Sequence, residues 1–151
     1  MVNTTRLIQD DIPEVKTLKN VKIEMPDEDD VLHYIISVRV GDGFYKDHWF
    51  RFNFIITPDW PYTRPIVTIL DDIWHVNIKL TKDGGNVCIS TLSDEEYTPS
   101  VTLLNIVESL KFLLVNPNEK DPLNVDAAKQ YKENPDAFEK KVDYYLDKME
   151  E

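Results

Sequence analysis

The chain has 151 residues, a length that fits one compact domain spanning residues 1–151. Hydrophobic residues make up 42% and charged residues 30%, a composition that excludes wholesale disorder. The formal net charge of −11 disfavours nucleic acid and anionic membrane surfaces as partners, because both attract clustered Lys and Arg.

Cysteine content and hydropathy indicate the cellular setting. Cys88 is the only cysteine, which excludes an internal disulfide framework and any multi-thiolate zinc site. No apolar run approaches the ~18 residues of a membrane span, and residues 1–11 lack the apolar core of a secretory signal. We therefore expect a reducing compartment, the cytoplasm or the nucleus.

The N-terminal half of the sequence predicts a helix followed by strands. Apolar residues at helical spacing indicate a helix over residues 3–18, which Pro13 should kink or shorten. Apolar and polar residues then alternate in four segments, which are residues 21–25, 32–40, 49–56 and 66–70. Because turns join these segments, we expect a four-stranded antiparallel meander.

The C-terminal half predicts a long coil and three helices. Residues 71–100 break the alternation, and an irregular stretch of this length in a small domain is typical of a functional site. Helical spacing returns at residues 101–115, 125–133 and 136–148, with Phe112 out of place on the polar face of the first of these helices. The order of elements predicts an α+β fold with helices packed on one side of the sheet.

Cys88 is prominent because of the sequence around it. It falls in the irregular region, where an exposed thiol can be reactive. A His-x-Asn triplet, His75-Val76-Asn77, comes before it, and an Asn-Pro…Asp-Pro-Leu stretch that contains Asp121 follows it. A structural cysteine remains the simpler interpretation of Cys88 alone, but the ordered combination of motifs is much rarer than any one of them.

These motifs together resemble the ubiquitin-conjugating enzyme family over about residues 4–149. The segment around that family's active cysteine is similar to residues 85–92, and its His-Pro-Asn motif is similar to residues 75–77. Its Tyr-Pro-x-x-Pro-Pro turn, Trp-x-Pro motif and Asn-Pro…Asp-Pro-Leu stretch are similar to residues 60–65, 97–99 and 116–123. The family fold, a four-stranded meander with flanking helices, agrees with the pattern above.

Four departures from the family pattern alter the rim of the expected site. Val76 stands in place of the motif proline, Arg64 in place of the first proline of a pair, and Tyr97 in place of tryptophan. About three extra residues, near positions 82–84, lie between Asn77 and Cys88. None of the departures removes a catalytic group.

The resemblance implies two acyl transfers. A modifier of the ubiquitin type, activated with ATP by an activating enzyme, forms a thioester with Cys88 and then passes to a lysine of a substrate protein. Asn77 would donate a hydrogen bond to the oxyanion, or would instead hold the adjacent loop. Asp121 would orient and deprotonate the incoming amine, or would only cap the next helix. His75 is expected to be structural, and we expect no bound cofactor or metal.

The resemblance also implies partner surfaces. The modifier is expected to contact Asn105, Glu108 and Phe112 on the helix over residues 101–115. The activating enzyme and a ligase, of the RING type, are expected to dock near four residues of the first helix and two loops: Arg6, Tyr62, Thr98 and Pro99. Tyr62 could instead be a core aromatic.

Within the family, the chain looks most like the branch that conjugates the Nedd/Rub-type modifier to cullins, on residues 26–30, 43–46 and 121–128. Conjugation of ubiquitin itself is the alternative. That branch typically adds a flexible N-terminal extension, and only the first few residues precede the first predicted helix here, so we expect the extension to be absent or removed.

Two rivals come from other functional classes. A non-catalytic binding cofactor on the same fold would not need the cysteine that is present here. An unrelated cysteine hydrolase would need a histidine beside Cys88, and only His75 is a candidate, since His33 and His48 are interpreted as ordinary residues of the strand region. The three histidines share no metal-ligand spacing with one another.

Overall fold

The computed structural model describes residues 4–82 and 84–150. The predicted helix start at residue 3 and the part of the insertion at Asp83 lie outside the described residues. The first helix, α1, joins a π-helical segment, Leu7–Asp11, to an α-helical segment, Ile12–Lys16. Pro13 is the second residue of the α-helical segment, directly after the π-helical segment. Helix α1 therefore continues through the proline and ends two residues before the predicted end.

The π-helical segment changes which side chains of α1 face the core. Leu7, Asp11 and Val15 are buried, whereas Ile8, expected on the apolar face, is 48% exposed. A π-helix has a wider turn than an α-helix, so residues four apart fall closer to one line along it. The apolar spacing in the sequence therefore identified the helix and most of its buried face, because Leu7 and Val15 are buried and Ile12 and Leu18 pack against the core.

Across residues 4–82 and 84–150, the sheet has six strands in the order β1-β2-β3-β4-β6-β5, all pairs antiparallel. The strands are β1 Val21–Glu24, β2 His33–Arg39, β3 Trp49–Ile55, β4 Ile66–Ile69, β5 Ile78–Thr81 and β6 Gly84–Val87. The first four strands coincide with the alternating segments, and their antiparallel meander is confirmed. Alternation identified them because one face of each strand packs on the core.

The expected four-stranded sheet with an unstructured coil is wrong for residues 78–87, which form the hairpin β5–β6 beside β4. Two glycines begin β6: Gly84 has a positive φ of 115°, and Gly85 permits a close approach between strands. A Cβ atom on Gly85 would lie 2.3 Å from Cγ2 of Ile69 on β4. Only a residue without a side chain fits beneath Ile69 at this point of the ladder.

In the described part of the chain, three helices follow the sheet: α2 Leu103–Val115, α3 Val125–Glu133 and α4 Pro135–Met149. Their predicted bounds are confirmed to within two residues. A short 3-10 helix, Ser90–Leu92, follows Cys88. Helix α2 contacts α1, β2 and this 3-10 helix, so it lies beside the segment that carries the thiol. Among the described residues, no helix is long and apolar enough to cross a bilayer.

Candidate active site

A buried histidine fixes the turn that leads into β5. The Nε2–H of His75 donates to the carbonyl oxygen of Leu113 on α2 at 2.9 Å, and its Nδ1 accepts the N–H of Asn77 at 2.9 Å. Burial lowers the pKa of His75 to about 4, although the bond to Leu113 opposes this shift. The ring is therefore neutral at physiological pH with both nitrogens in use, an arrangement that suits a structural group and not a general base.

Asn77 joins the thiol segment to the loop that carries Asp121. Its Nδ2 donates to the carbonyl oxygens of Asn118 at 2.8 Å and Asp121 at 3.1 Å, and its Oδ1 accepts the N–H of Asn118 at 2.8 Å. Its own carbonyl accepts the N–H of Cys88 at 3.0 Å. Both N–H groups of the side-chain amide are therefore used in hydrogen bonds to backbone carbonyls. In this conformation Asn77 holds the adjacent loop, and its role as the oxyanion donor stays a prediction.

Cys88 lies at the end of β6 and is partly exposed. Burial raises the pKa of the Cys88 thiol, and the negative charge of Asp121 raises it further. Because the thiolate is the nucleophile, the resting thiol is protonated at neutral pH and must lose its proton during attack. The side chain of Asp121 is itself exposed, so an incoming amine can reach it.

An open groove of about 740 Å³ connects these residues to α2. We call it the active-site groove, and three segments border it: residues 88–101, α2 and residues 116–121. It brings the three predicted catalytic residues together with the three residues predicted to contact the modifier: Cys88, Asn77, Asp121, Asn105, Glu108 and Phe112. The sequence predicted these as two separate sets, and the structure places them in one groove.

The three residues of α2 that are predicted to contact the modifier differ in exposure and in how much of each side chain is free to bind a partner. Asn105 forms a capping box with Thr102, accepting its N–H at 3.0 Å, so part of its side chain is occupied. Glu108 is exposed, and Phe112 is 67% exposed. An aromatic ring left in water beside a reactive thiol is typical of a protein-binding surface.

The four residues predicted to dock partners also differ. Tyr62 is 77% exposed, so the alternative that it is a core aromatic is wrong. Thr98 and Pro99 are exposed as well. Arg6 is instead bound within the chain, donating to the carbonyl oxygens of Pro99 at 2.6 Å and Val101 at 2.7 Å.

The departures from the family pattern take part in contacts that shape the rim. Arg64 donates to the carbonyl oxygen of Leu92 at 2.9 Å and pairs with Asp94. The hydroxyl of Tyr97 donates to the carbonyl oxygen of Pro61. These contacts tie the segment after Cys88 to the proline-rich turn before β4.

Sequence reasoning missed Asp11, which is 1% exposed. Its Oδ2 accepts the indole N–H of Trp60 at 2.8 Å, and its Oδ1 accepts the N–H of Leu103 at 3.2 Å. A signal was present, because Asp11 lies midway between Leu7 and Val15 at the spacing of a buried helical face. Within residues 4–82 and 84–150, no group of three or more His, Cys, Asp or Glu residues could hold a metal ion.

Comparison with known proteins places this geometry in a family. The sequence profile of the family described as "Ubiquitin-conjugating enzyme" matches residues 7–146. The NEDD8-conjugating enzyme UBC12 of Yarrowia lipolytica is 34% identical over 139 residues, which cover 92% of this chain and 75% of that protein. The NEDD8-conjugating enzyme Ubc12 of Arabidopsis thaliana is 34% identical over 133 residues, which cover 87% and 70%.

A solved structure, Saccharomyces cerevisiae Ubc12, superposes with a TM-score of 0.79 at 31% identity, covering 94% of this chain and 78% of that one. Fold, matched residues and site therefore agree. The chain belongs to the ubiquitin-conjugating enzyme family and is a conjugating enzyme that works by thioester transfer, with a modifier, an activating enzyme, and ligase or substrate proteins as its partners.

Proposed function

We propose that this enzyme carries a NEDD8-type modifier on Cys88 and transfers it to a lysine of a substrate protein. The active-site groove carries the proposal, because the only thiol of the chain lies there with Asn77 and Asp121 and the groove continues onto α2. The relatives named NEDD8-conjugating enzymes support the choice of modifier.

In the charging step, the sulfur of Cys88 attacks the carbonyl carbon of the modifier thioester on the activating enzyme. A new C–S bond forms, the old C–S bond breaks, and the thiol of the activating enzyme leaves with the proton. His75 cannot accept this proton, because it is buried and both of its nitrogens are hydrogen-bonded. ATP is consumed upstream by the activating enzyme, and no cofactor is needed on this chain.

In the discharge step, a lysine amine attacks the thioester, a C–N bond forms, and Cys88 leaves as the thiolate. The amine must lose a proton, and the exposed carboxylate of Asp121 beside the thiol can orient the amine and accept that proton. Asn77 supports this step by holding the backbone of Asp121. To donate a hydrogen bond to the oxyanion, Asn77 would have to break one of the two hydrogen bonds that its Nδ2 donates to Asn118 and Asp121.

The exposed residues give each partner a surface. The linked modifier contacts Glu108 and Phe112 on α2, with Asn105 beside them at the start of the helix. A ligase of the RING type, or the activating enzyme, docks on Tyr62, Thr98 and Pro99, where exposed side chains of two loops lie near α1.

The decisive experiment supplies the purified chain with activating enzyme, ATP and modifier. The wild-type chain should form an adduct that a thiol reductant cleaves, Cys88→Ser an adduct that resists reduction, and Cys88→Ala none. Normal charging of Cys88→Ala would contradict the proposal. A chain that binds the modifier without any adduct would instead be a non-catalytic binding cofactor.

The modifier is identified by competition. The NEDD8 and ubiquitin activating enzymes, each loaded with its own modifier, are offered together at limiting concentration. We expect preferential charging with NEDD8, because specificity rests on a difference in affinity for the two activating enzymes. Preferential charging with ubiquitin would overturn the choice of modifier and leave the Cys88 chemistry in place.

A further inference from the structure

A buried carboxylate joins α1 to the start of α2. Asp11 ends the π-helical segment, and its two oxygens accept from different elements. Oδ1 accepts the backbone N–H of Leu103, the first residue of α2, at 3.2 Å, and Oδ2 accepts the indole N–H of Trp60 at 2.8 Å. A negative charge at a helix N-terminus is favourable, so Asp11 fixes where α2 begins.

Arg6 extends this contact to the segment that follows Cys88. Its Nε lies 3.4 Å from Oδ2 of Asp11, and its guanidinium carbon lies 5.3 Å from the centre of the Trp60 ring. Its two terminal nitrogens donate to the carbonyl oxygens of Pro99 and Val101. A planar guanidinium suits this forked geometry, and a lysine ammonium does not reproduce it.

The contacts of Asp11 and Arg6 therefore reach two of the three segments that border the active-site groove. Val101 itself lines the groove, and Leu103 begins the helix whose face carries Phe112. We propose that Asp11, acting with Arg6, is a positioning residue for discharge: it sets the spacing between residues 88–101 and α2, and so holds the linked modifier in place during attack by the amine. This inference rests on the proposed function.

The same contacts connect the exposed loop surface to the groove. Thr98 and Pro99 face solvent, and the carbonyl of Pro99 is the group that Arg6 holds. A protein that seats on Thr98 and Pro99 therefore acts on the backbone that Asp11 and Arg6 position. Loosening these contacts should reduce both basal discharge and its stimulation by a ligase.

Two variants test the role of Asp11 and Arg6 from different sides. Asp11→Asn keeps the shape of the side chain but has one acceptor oxygen in place of two. Its amide NH₂ group would then face the N–H of either Trp60 or Leu103, and two donors cannot form a hydrogen bond. Arg6→Lys keeps the positive charge but cannot donate to the carbonyl oxygens of Pro99 and Val101 in the geometry of the planar guanidinium. Asp10→Asn is the matched control, because it is the same substitution at the exposed neighbouring residue.

Discharge is measured in single turnover on thioester formed beforehand, with free lysine as the acceptor. This design separates discharge from any effect of α1 on the activating enzyme. We expect Asp11→Asn and Arg6→Lys to lower the maximal rate by about 3- to 30-fold, the usual range for couplings of this kind. The lysine concentration at half-maximal rate and the reactive fraction should stay unchanged, and Asp10→Asn should match the wild type.

A double-mutant cycle with Phe112→Ala distinguishes positioning from a general loss of stability. If Asp11 acts by positioning the modifier that is bound to α2, Asp11→Asn should slow discharge less in the Phe112→Ala background than in the wild type. Multiplicative effects, or wild-type discharge by both Asp11→Asn and Arg6→Lys, would overturn the inference. Failure of the wild-type chain to form any thioester would overturn the proposed function instead.

Discussion

The two sides of Cys88 are held by different kinds of contact. Before it, residues 75–77 are buried; the hydrogen bond of His75 to α2 is buried as well, and the bonds of Asn77 to Asn118 and Asp121 are partly buried. After it, residues 93–100 are half-buried or exposed, and the arginines Arg6 and Arg64 hold carbonyls of this side from neighbouring elements. One side is part of the core, and the other is attached to it.

This difference assigns distinct tasks to the two sides. Hydrogen bonds in the interior are costly to break, because a buried group left unpaired loses its water as well as its partner. The buried side can therefore keep Cys88 and Asp121 at a fixed separation. Contacts made by long side chains at the surface are weaker, so the exposed side can adjust when a partner binds.

The largest expected effect on stability and on discharge comes from substituting Asn77, on the buried side of Cys88. Asn77→Ala removes three side-chain hydrogen bonds to Asn118 and Asp121, which should lower the free energy of unfolding by about 1–3 kcal/mol. Single-turnover discharge onto lysine should fall by about 10²- to 10³-fold, because the loop that positions the proton acceptor Asp121 loses the amide that holds it. Charging of Cys88 should remain near the wild-type level.

Asn86→Ala is the control for this change, because Asn86 is exposed on β6 and close to Cys88 in sequence. It should charge and discharge normally. An equal loss of charging and discharge in Asn77→Ala would show a damaged fold and would contradict a specific role in discharge.

Asp121→Asn should produce effects of opposite sign on two reactions. Discharge onto lysine at pH 7 should fall by about 10²-fold, because the amine loses its proton acceptor, and the defect should shrink at high pH. Alkylation of Cys88 by iodoacetamide should become faster, because the charge of Asp121 raises the pKa of the thiol and its removal leaves more thiolate at a given pH.

The neighbouring exposed carboxylate provides the control for this prediction, since Glu119→Gln should leave both rates unchanged. Slower alkylation in Asp121→Asn would show that Asp121 does not act on the thiol through its charge. In the wild type, alkylation should accelerate from pH 7 to pH 9, because the raised pKa keeps the thiol protonated over most of that range.

The buried side should also respond to acid. The pKa of His75 is lowered from 6.5 to about 4 in the folded protein, so below pH 6.5 the unfolded chain binds a proton that the folded chain does not. Stability then falls as the pH falls, by about 1.5 kcal/mol between pH 6.5 and pH 5 from this group alone. Denaturant unfolding across this range should show a flatter pH dependence for His75→Asn than for the wild type, and an equal slope in the two proteins would contradict the assignment to His75.

The sequence was sufficient to predict the elements that bury one regular face. Strands β1 to β4 and helix α2 carry unbroken patterns of apolar residues, and each such pattern corresponds to one packed surface. The groove was anticipated only as motifs, because no periodicity links residues 77, 88 and 121. Their proximity comes from the long-range bonds of Asn77, which connect positions 41 and 44 residues apart.

Two features of the fold could not be read locally. Glycine is a residue typical of turns, but Gly85 lies in strand β6. A glycine is required there because the side chain of Ile69 on β4 leaves no room for a Cβ atom. Arg6 has the composition of a surface residue, and its role depends on carbonyls 93 and 95 positions away. In both cases the determining partner is distant in sequence, so local propensity gave the wrong answer for Gly85 and no answer for Arg6.

The smallest effect is expected on the exposed side, at Arg64. A lysine there can pair with Asp94 or donate to Leu92, but it cannot make both contacts in the geometry that Arg64 uses. Because the Arg64–Asp94 pair is largely exposed, Arg64→Lys should lower the free energy of unfolding by less than about 1 kcal/mol. Discharge onto lysine should fall by no more than about twofold, and 1 M NaCl should reduce the difference in stability by screening the ion pair.

Arg51→Lys is the control, because Arg51 on β3 pairs with Asp71, which follows β4, and is not among the residues that line the active-site groove. It should show a similar small loss of stability and no change in discharge. If Arg64→Lys instead slowed discharge as strongly as Asp121→Asn, the segment after Cys88 would be as essential to the geometry of attack as the buried side. The two sides would then differ in their exposure and not in their task.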